Sequence, residues 1–65
     1  MADKLSIRAL RVNKGLTQAE VSKKLGVSTT TYSAWEKDIS KVGVGKVKQI
    51  ADFYGVSIDD IRLKS

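Results

Sequence analysis

Thr29, Thr30, Ser33 and Ala34 share one sector of a helix wound at about 100° per residue, with Thr31, Tyr32 and Trp35 in the opposite sector. The first face carries only hydroxyls and methyls. A surface helix ordinarily displays Lys, Glu, Gln or Arg, whereas no long charged chain here holds the face away from what it meets. Thr and Ser hydroxyls donate or accept hydrogen bonds, and the methyls of Thr and Ala can touch the methyl of thymine. The chemistry open to this face is therefore readout of base edges, T-containing steps among them. The same residue types also suit a plain neutral surface. On the other side, the phase of Trp35 assigns it to the core rather than to base stacking, and Tyr32 needs a polar partner for its hydroxyl.

Catalysis has little to work with. The 65 residues contain no His and no Cys, which removes the usual acid–base group, the thiol nucleophile and most zinc ligands. No Gly-rich phosphate cradle of the Walker or dinucleotide type occurs, and most acids stand where helix caps use them. No enzyme, no metal and no cofactor is expected.

Five helical segments must position the polar face. The first runs from about Lys4 to Lys14, with Ile7, Leu10, Arg11 and Lys14 at helical spacing and Gly15 suited to end it. Thr17-Gln18-Ala19-Glu20 matches the capping box, Leu16 before it can staple onto Val21, and this second helix continues to about Leu25 before Gly26. Ser28 caps the third helix, which carries the polar face and ends near Lys37 and Asp38. Two short helices joined by so tight a turn make a helix-turn-helix, here Thr17 to Glu36. That geometry alone is common in structural bundles. A loop with Ser40 and Lys41 leads to a fourth helix from about Gly43 to Tyr54, in which Gly45 weakens the first turn. Ser57 then caps a short fifth segment, with Asp59 and Asp60 near its start and Ile61 and Leu63 beyond.

Composition adds a partner class. Residues 1–48 hold ten Lys/Arg against four Asp/Glu, and residues 49–65 hold two against three. A basic first three quarters points to a polyanion, nucleic acid ahead of an anionic membrane. No stretch approaches the roughly 18 apolar residues of a membrane span, and Met1-Ala2-Asp3-Lys4 lacks the start of a signal peptide. A cytoplasmic location away from membranes is expected. With no Pro, repeat or low-complexity run, residues 1–65 read as a single compact all-α unit whose small core depends on close helix packing or association.

The stretch TQAEVSKKLGVSTTTYSAWE resembles the helix-turn-helix of the Cro and repressor family of lambdoid phages, the Xre family. Matching elements are Arg11, Gly15-Leu16-Thr17-Gln18, Leu25-Gly26-Val27-Ser28, Glu36, and Ala51 through Gly55-Val56-Ser57, so the resemblance spans almost the whole chain. It implies a five-helix, lambda-repressor-like domain with the helix-turn-helix at helices 2 and 3. It also implies sequence-specific binding of double-stranded operator DNA as a transcriptional regulator, usually a dimeric repressor on a palindrome.

Residue by residue, Thr29, Thr30 and Ala34 match base-reading positions, with Ser33 beside them. Gln18 matches a position that contacts a phosphate or an outer base. Arg11 and Glu36 match a partly buried ion pair between the ends of helices 1 and 3, a scaffold role that orients the recognition helix. Phosphate contacts would fall to Lys37, Ser40, Lys41 and the amides at Gly43 and Val44, with Asn13 and Lys14 further out. Three residues depart from the family pattern: Ser22 where Ala is common, Asp38 where Gly is frequent, and Val42 where Pro is frequent. Ser22 is expected to bond back to the carbonyl four residues earlier, and Asp38 brings negative charge near the phosphate track.

A homodimer is expected to draw on the loop after helix 3 and on the C-terminal segment, and no small-molecule effector site is evident. The competing function is an antitoxin-type or protein-interaction module that binds a protein partner through the apolar strip Val56, Ile58, Ile61 and Leu63.

Overall fold

The computed structural model describes residues 4–63. In chain order these form α1 (Ile7–Asn13), α2 (Gln18–Leu25), α3 (Thr29–Lys37), a 3-10 turn (Ile39–Lys41), α4 (Val44–Tyr54) and a second 3-10 turn (Ile58–Asp60). Each helix end has a local cause. α1 starts at Ile7, later than the expected Lys4, because Ser6 is extended and its hydroxyl oxygen accepts from the Ala9 amide at 3.1 Å. The backbone before it is engaged elsewhere: the Leu5 amide donates to the Asp60 carbonyl at 3.0 Å, and the Arg62 amide donates to the Leu5 carbonyl at 2.8 Å. This short parallel bridge, Leu5 to Ile61, ties the two ends of the described chain together.

The capping box of α2 is complete. Thr17 Oγ1 accepts from the Glu20 amide at 3.1 Å, and Glu20 Oε1 accepts from the Thr17 amide at 2.9 Å. α2 ends at Gly26, whose φ of 74° lies in the left-handed region that a side chain at Cβ disfavours. From there only Val27 separates it from Ser28, the cap of α3, so the turn between the two helices is short and sharply set.

The expected fifth helix is a single 3-10 turn. The Asp60 carboxylate folds back to accept from both the amide and the hydroxyl of Ser57, each at 3.2 Å, while the Ile61 amide donates to the Ile58 carbonyl three residues earlier. Ile61 then turns extended, since its side chain is fully buried and the next amide pairs with Leu5. Capping signals at Ser57 predicted a start; tertiary pairing at Ile61 and Arg62 imposed the stop. The loop after α3 also contains a turn that helical periodicity did not signal. It lowers Ile39 into the core.

One apolar cluster joins the elements: Ile7 and Leu10 of α1, Val21 and Leu25 of α2, Tyr32 of α3, Val47, Ile50, Ala51 and Tyr54 of α4, Ile39 of the first 3-10 turn, and Ile61 just after the second, whose Ile58 packs against it. Leu16, Val27 and Trp35 pack against it half-buried. Among the described residues no helix is long and apolar enough to cross a membrane.

Candidate nucleic-acid interface

α3 begins under a double hydrogen bond: Ser28 Oγ accepts from the Thr31 amide at 3.0 Å and donates to Thr31 Oγ1 at 2.9 Å. Thr31 is exposed and its hydroxyl belongs to the cap, whereas Tyr32 and Trp35 of the same sector turn toward the core. Helical phase alone could not see that a cap would claim its hydroxyl. Tyr32 is fully buried, and Trp35 lies edge-on to it, half-buried, with ring centroids 6.2 Å apart. Across the helix, Thr29, Thr30 and Ala34 are exposed and Ser33 half-buried. These four line one open depression together with Gln18 of α2 and Lys37.

Behind that depression stands a polar brace. Arg11 Nε donates to Glu36 Oε2 at 2.7 Å, and Nη1 donates to the Leu16 carbonyl at 2.9 Å. The two side chains are 14% and 4% exposed, so the pair is almost shut off from water. Gln18 Nε2 donates to Glu36 Oε1 at 2.9 Å, so one of the residues lining the depression is anchored on the brace itself. Burial opposes ionisation of Glu36, but hydrogen bonds from Arg11 and Gln18 outweigh it and hold the carboxyl below its ordinary range. The hydrogen bond that Arg11 donates to Glu36 correspondingly pushes the guanidinium up.

A second link ties α3 to α4: the hydroxyls of Tyr32 and Tyr54 meet at 2.6 Å in the core. Burial pushes both phenols up, so both stay neutral. Among the described residues no buried side-chain nitrogen or oxygen lacks a partner.

Ser22 is the polar residue of α2 that the core encloses, at 2% exposure. Its hydroxyl donates to the Ala19 carbonyl at 2.9 Å, three residues back rather than the four expected. Its oxygen also lies 3.1 Å from Thr29 Oγ1. Sequence reasoning missed this tie to the polar face of α3, although Ser22 itself, in a place where Ala is common, was the available signal.

The expected phosphate contacts divide between surfaces. Lys37 lines the depression of α3 and also a neighbouring one with Ala34, Trp35, Asp38, Lys41 and Val42, so Lys37 and Lys41 share an edge. Asp38 sits on that edge as well. Its carboxylate is held low first by the Ser40 hydroxyl, then by the Ser40 amide and the Lys41 charge, because it caps the 3-10 turn. Ser40 thus has its proton engaged with Asp38, and it lines a different, apolar groove with Ile39, Val42, Val44, Val47, Ile58 and Leu63. Gly43 is exposed at the start of α4 and supplies no capping side chain. Asn13 and Lys14 are exposed at the end of α1 and line neither depression. Of the apolar strip read from the sequence, Ile61 is wholly internal, Val56 and Ile58 are half-buried, and Leu63 is 42% exposed.

Four helices, a Gly26 turn and a polar α3 face braced by Arg11 and Glu36 meet a family profile described as helix-turn-helix, which matches residues 7–61. The chain belongs to the Cro/C1-type helix-turn-helix family. Members are DNA-binding transcriptional regulators rather than enzymes. The helix-turn-helix chain is 42% identical over 55 residues to the cryptic phage CTXphi transcriptional repressor RstR of Vibrio cholerae, covering 85% of this chain and 50% of that protein. It is 34% identical over 55 residues to the HTH-type transcriptional activator BcrR of Enterococcus faecalis, covering 85% of this chain and 27% of that one. A third relative, the uncharacterized HTH-type transcriptional regulator MJ0272 of Methanocaldococcus jannaschii, is 40% identical over 58 residues, 89% of this chain and 88% of the relative. The chain thus spans half of RstR and about a quarter of BcrR. No solved structure gives a significant match.

Proposed function

We propose that this helix-turn-helix domain represses transcription from a two-fold operator, with α3 in the major groove of double-stranded DNA. The observation that carries the reading is the depression lined by Gln18, Thr29, Thr30, Ser33, Ala34 and Lys37, short polar and methyl groups flanked by a cation and an amide. Thr29, Thr30, Ser33 and Ala34 read base edges, and Gln18, Lys37, Lys41 and the amides near Gly43 hold phosphates. Ser40 acts there only if its proton leaves Asp38. Repression is favoured over activation by the likeness to RstR, which exceeds that to BcrR in identity.

One recognition helix makes few base contacts, so a second copy completes the site, with the two α3 helices about 34 Å apart on one face of the duplex. The apolar groove of Val42, Val44, Val47, Ile58 and Leu63 supports self-association, since Val44 there is 78% exposed. Selection of bound duplexes from a random pool tests the whole reading: a palindrome with half-sites one turn apart is expected. In the same assay Thr29→Ala and Thr30→Ala lower discrimination between sequences more than they lower nonspecific affinity, whereas Lys41→Ala lowers both alike. Binding that ignores salt would overturn the DNA interface altogether.

A further inference from the structure

We propose that Ser22, which touches no DNA in this arrangement, sets the base preference of Thr29 by dictating which way the Thr29 hydroxyl proton points. The inference rests on the reading that α3 enters the major groove.

A serine hydroxyl has one proton, and a carbonyl oxygen has none to give. Ser22 Oγ lies 2.9 Å from the Ala19 carbonyl oxygen, a hydrogen bond in which only Ser22 can be the donor. Ser22 Oγ also lies 3.1 Å from Thr29 Oγ1. With its own proton engaged, Ser22 is the acceptor in that second contact, and Thr29 is the donor. Ser22 is 2% exposed, so water does not compete for the Ser22 proton.

Thr29 is exposed at the first position of α3, next to Thr30 and across the depression from Lys37. Its proton is turned inward to Ser22. What Thr29 offers outward is the remaining lone pair of Oγ1, an acceptor, and the fixed side-chain torsion also fixes the methyl. On the major-groove edge the groups that can donate to it are the exocyclic amines, N6 of adenine and N4 of cytosine, while guanine O6 and thymine O4 only accept. The strand facing Thr29 is therefore read as amino against keto, A or C in preference to G or T. A free threonine would make no such distinction, since its hydroxyl donates as readily as it accepts.

The test compares selected operators for the wild type, Ser22→Ala and Thr29→Val, each checked for folding by thermal melting. Alanine is the best helix former and Ser22 lies inside α2, while valine keeps the shape of Thr29 without its hydroxyl. The wild type is expected to select A or C at one position of each half-site. Both variants are expected to lose that preference while the other selected positions persist. Replacing the selected base of the wild-type operator by a purine or pyrimidine lacking the exocyclic amine should weaken binding roughly three- to tenfold, and that readout needs no protein variant. A keto base at this position, or a Ser22→Ala variant that selects as the wild type does while Thr29→Val does not, overturns the role of Ser22 and leaves the α3 interface standing. If no substitution on Thr29, Thr30 or Ser33 alters the selected sequence, the α3 interface itself falls.

Discussion

At the scale of residues, the Arg11–Glu36 pair is where stability and the orientation of α3 meet. Its carboxylate is 4% exposed, accepts from Arg11 and Gln18, and holds both against α3. Truncating one partner of a buried pair strands the other charge and typically costs about 3–5 kcal/mol, a large share of the stability of so small a domain. Glu36→Ala is expected to lower the unfolding free energy on that scale, measured by urea titration, and to loosen Gln18 as well. The same residue predicts a pH dependence. Its folded pKa lies below the ordinary 4.5, so its contribution is complete above that value and is lost as pH falls through the folded one. Stability of the wild type should therefore decline between pH 4.5 and the lower folded value more steeply than that of Glu36→Gln; equal slopes would contradict the assignment.

At the scale of elements, the recognition helix depends on its cap, while α4 has room for improvement. Ser28 satisfies the Thr31 amide and orders the Thr31 hydroxyl at the start of α3, one residue before the reading face begins. Ser28→Ala should cost about 1 kcal/mol and fray that end, which operator titration would register as a larger loss of affinity than the melting shift alone explains. Gly45 is different. It lies in the first turn of α4 with an unremarkable backbone, and a Cβ there meets nothing within 4 Å. Gly45→Ala is expected to stabilise by about 0.5–1 kcal/mol in the same melting experiment; a loss would contradict the open space around this position.

For the molecule as a whole, the proposed interface draws on the excess of Lys and Arg before residue 49 and on the shared edge of Lys37 and Lys41, charges that act at long range. Affinity for duplex DNA should fall steeply with salt, and Lys37→Ala or Lys41→Ala should each lower the log–log slope by about one, the loss of a single phosphate contact. In the proposed two-copy complex, mass and affinity are linked through the apolar groove. Val44→Asp places a charge on its most exposed wall and should leave the melting temperature near wild type while shifting sedimentation and operator binding toward the single copy. An unchanged, cooperative two-copy complex would move the contact elsewhere.

Local chemistry was legible in the residues themselves. The capping box at Thr17, the turn at Gly26, the cap at Ser28 and the polar sector of α3 each depend on neighbours within four positions, so backbone hydrogen bonding and helical phase suffice to read them. Family likeness, not spacing, suggested Arg11 with Glu36, because those residues are 25 positions apart. Tertiary structure decided the rest. The bridge of Leu5 to Ile61 shortened α1 and replaced a fifth helix by a turn, since a long-range pairing can outweigh a local cap. Packing of α2 against α3 brought Ser22 to Thr29 and Gln18 to Glu36, contacts that depend on how two helices cross. The sequence alone thus determined which face of α3 is polar. Only the fold determined which protons that face has left to give.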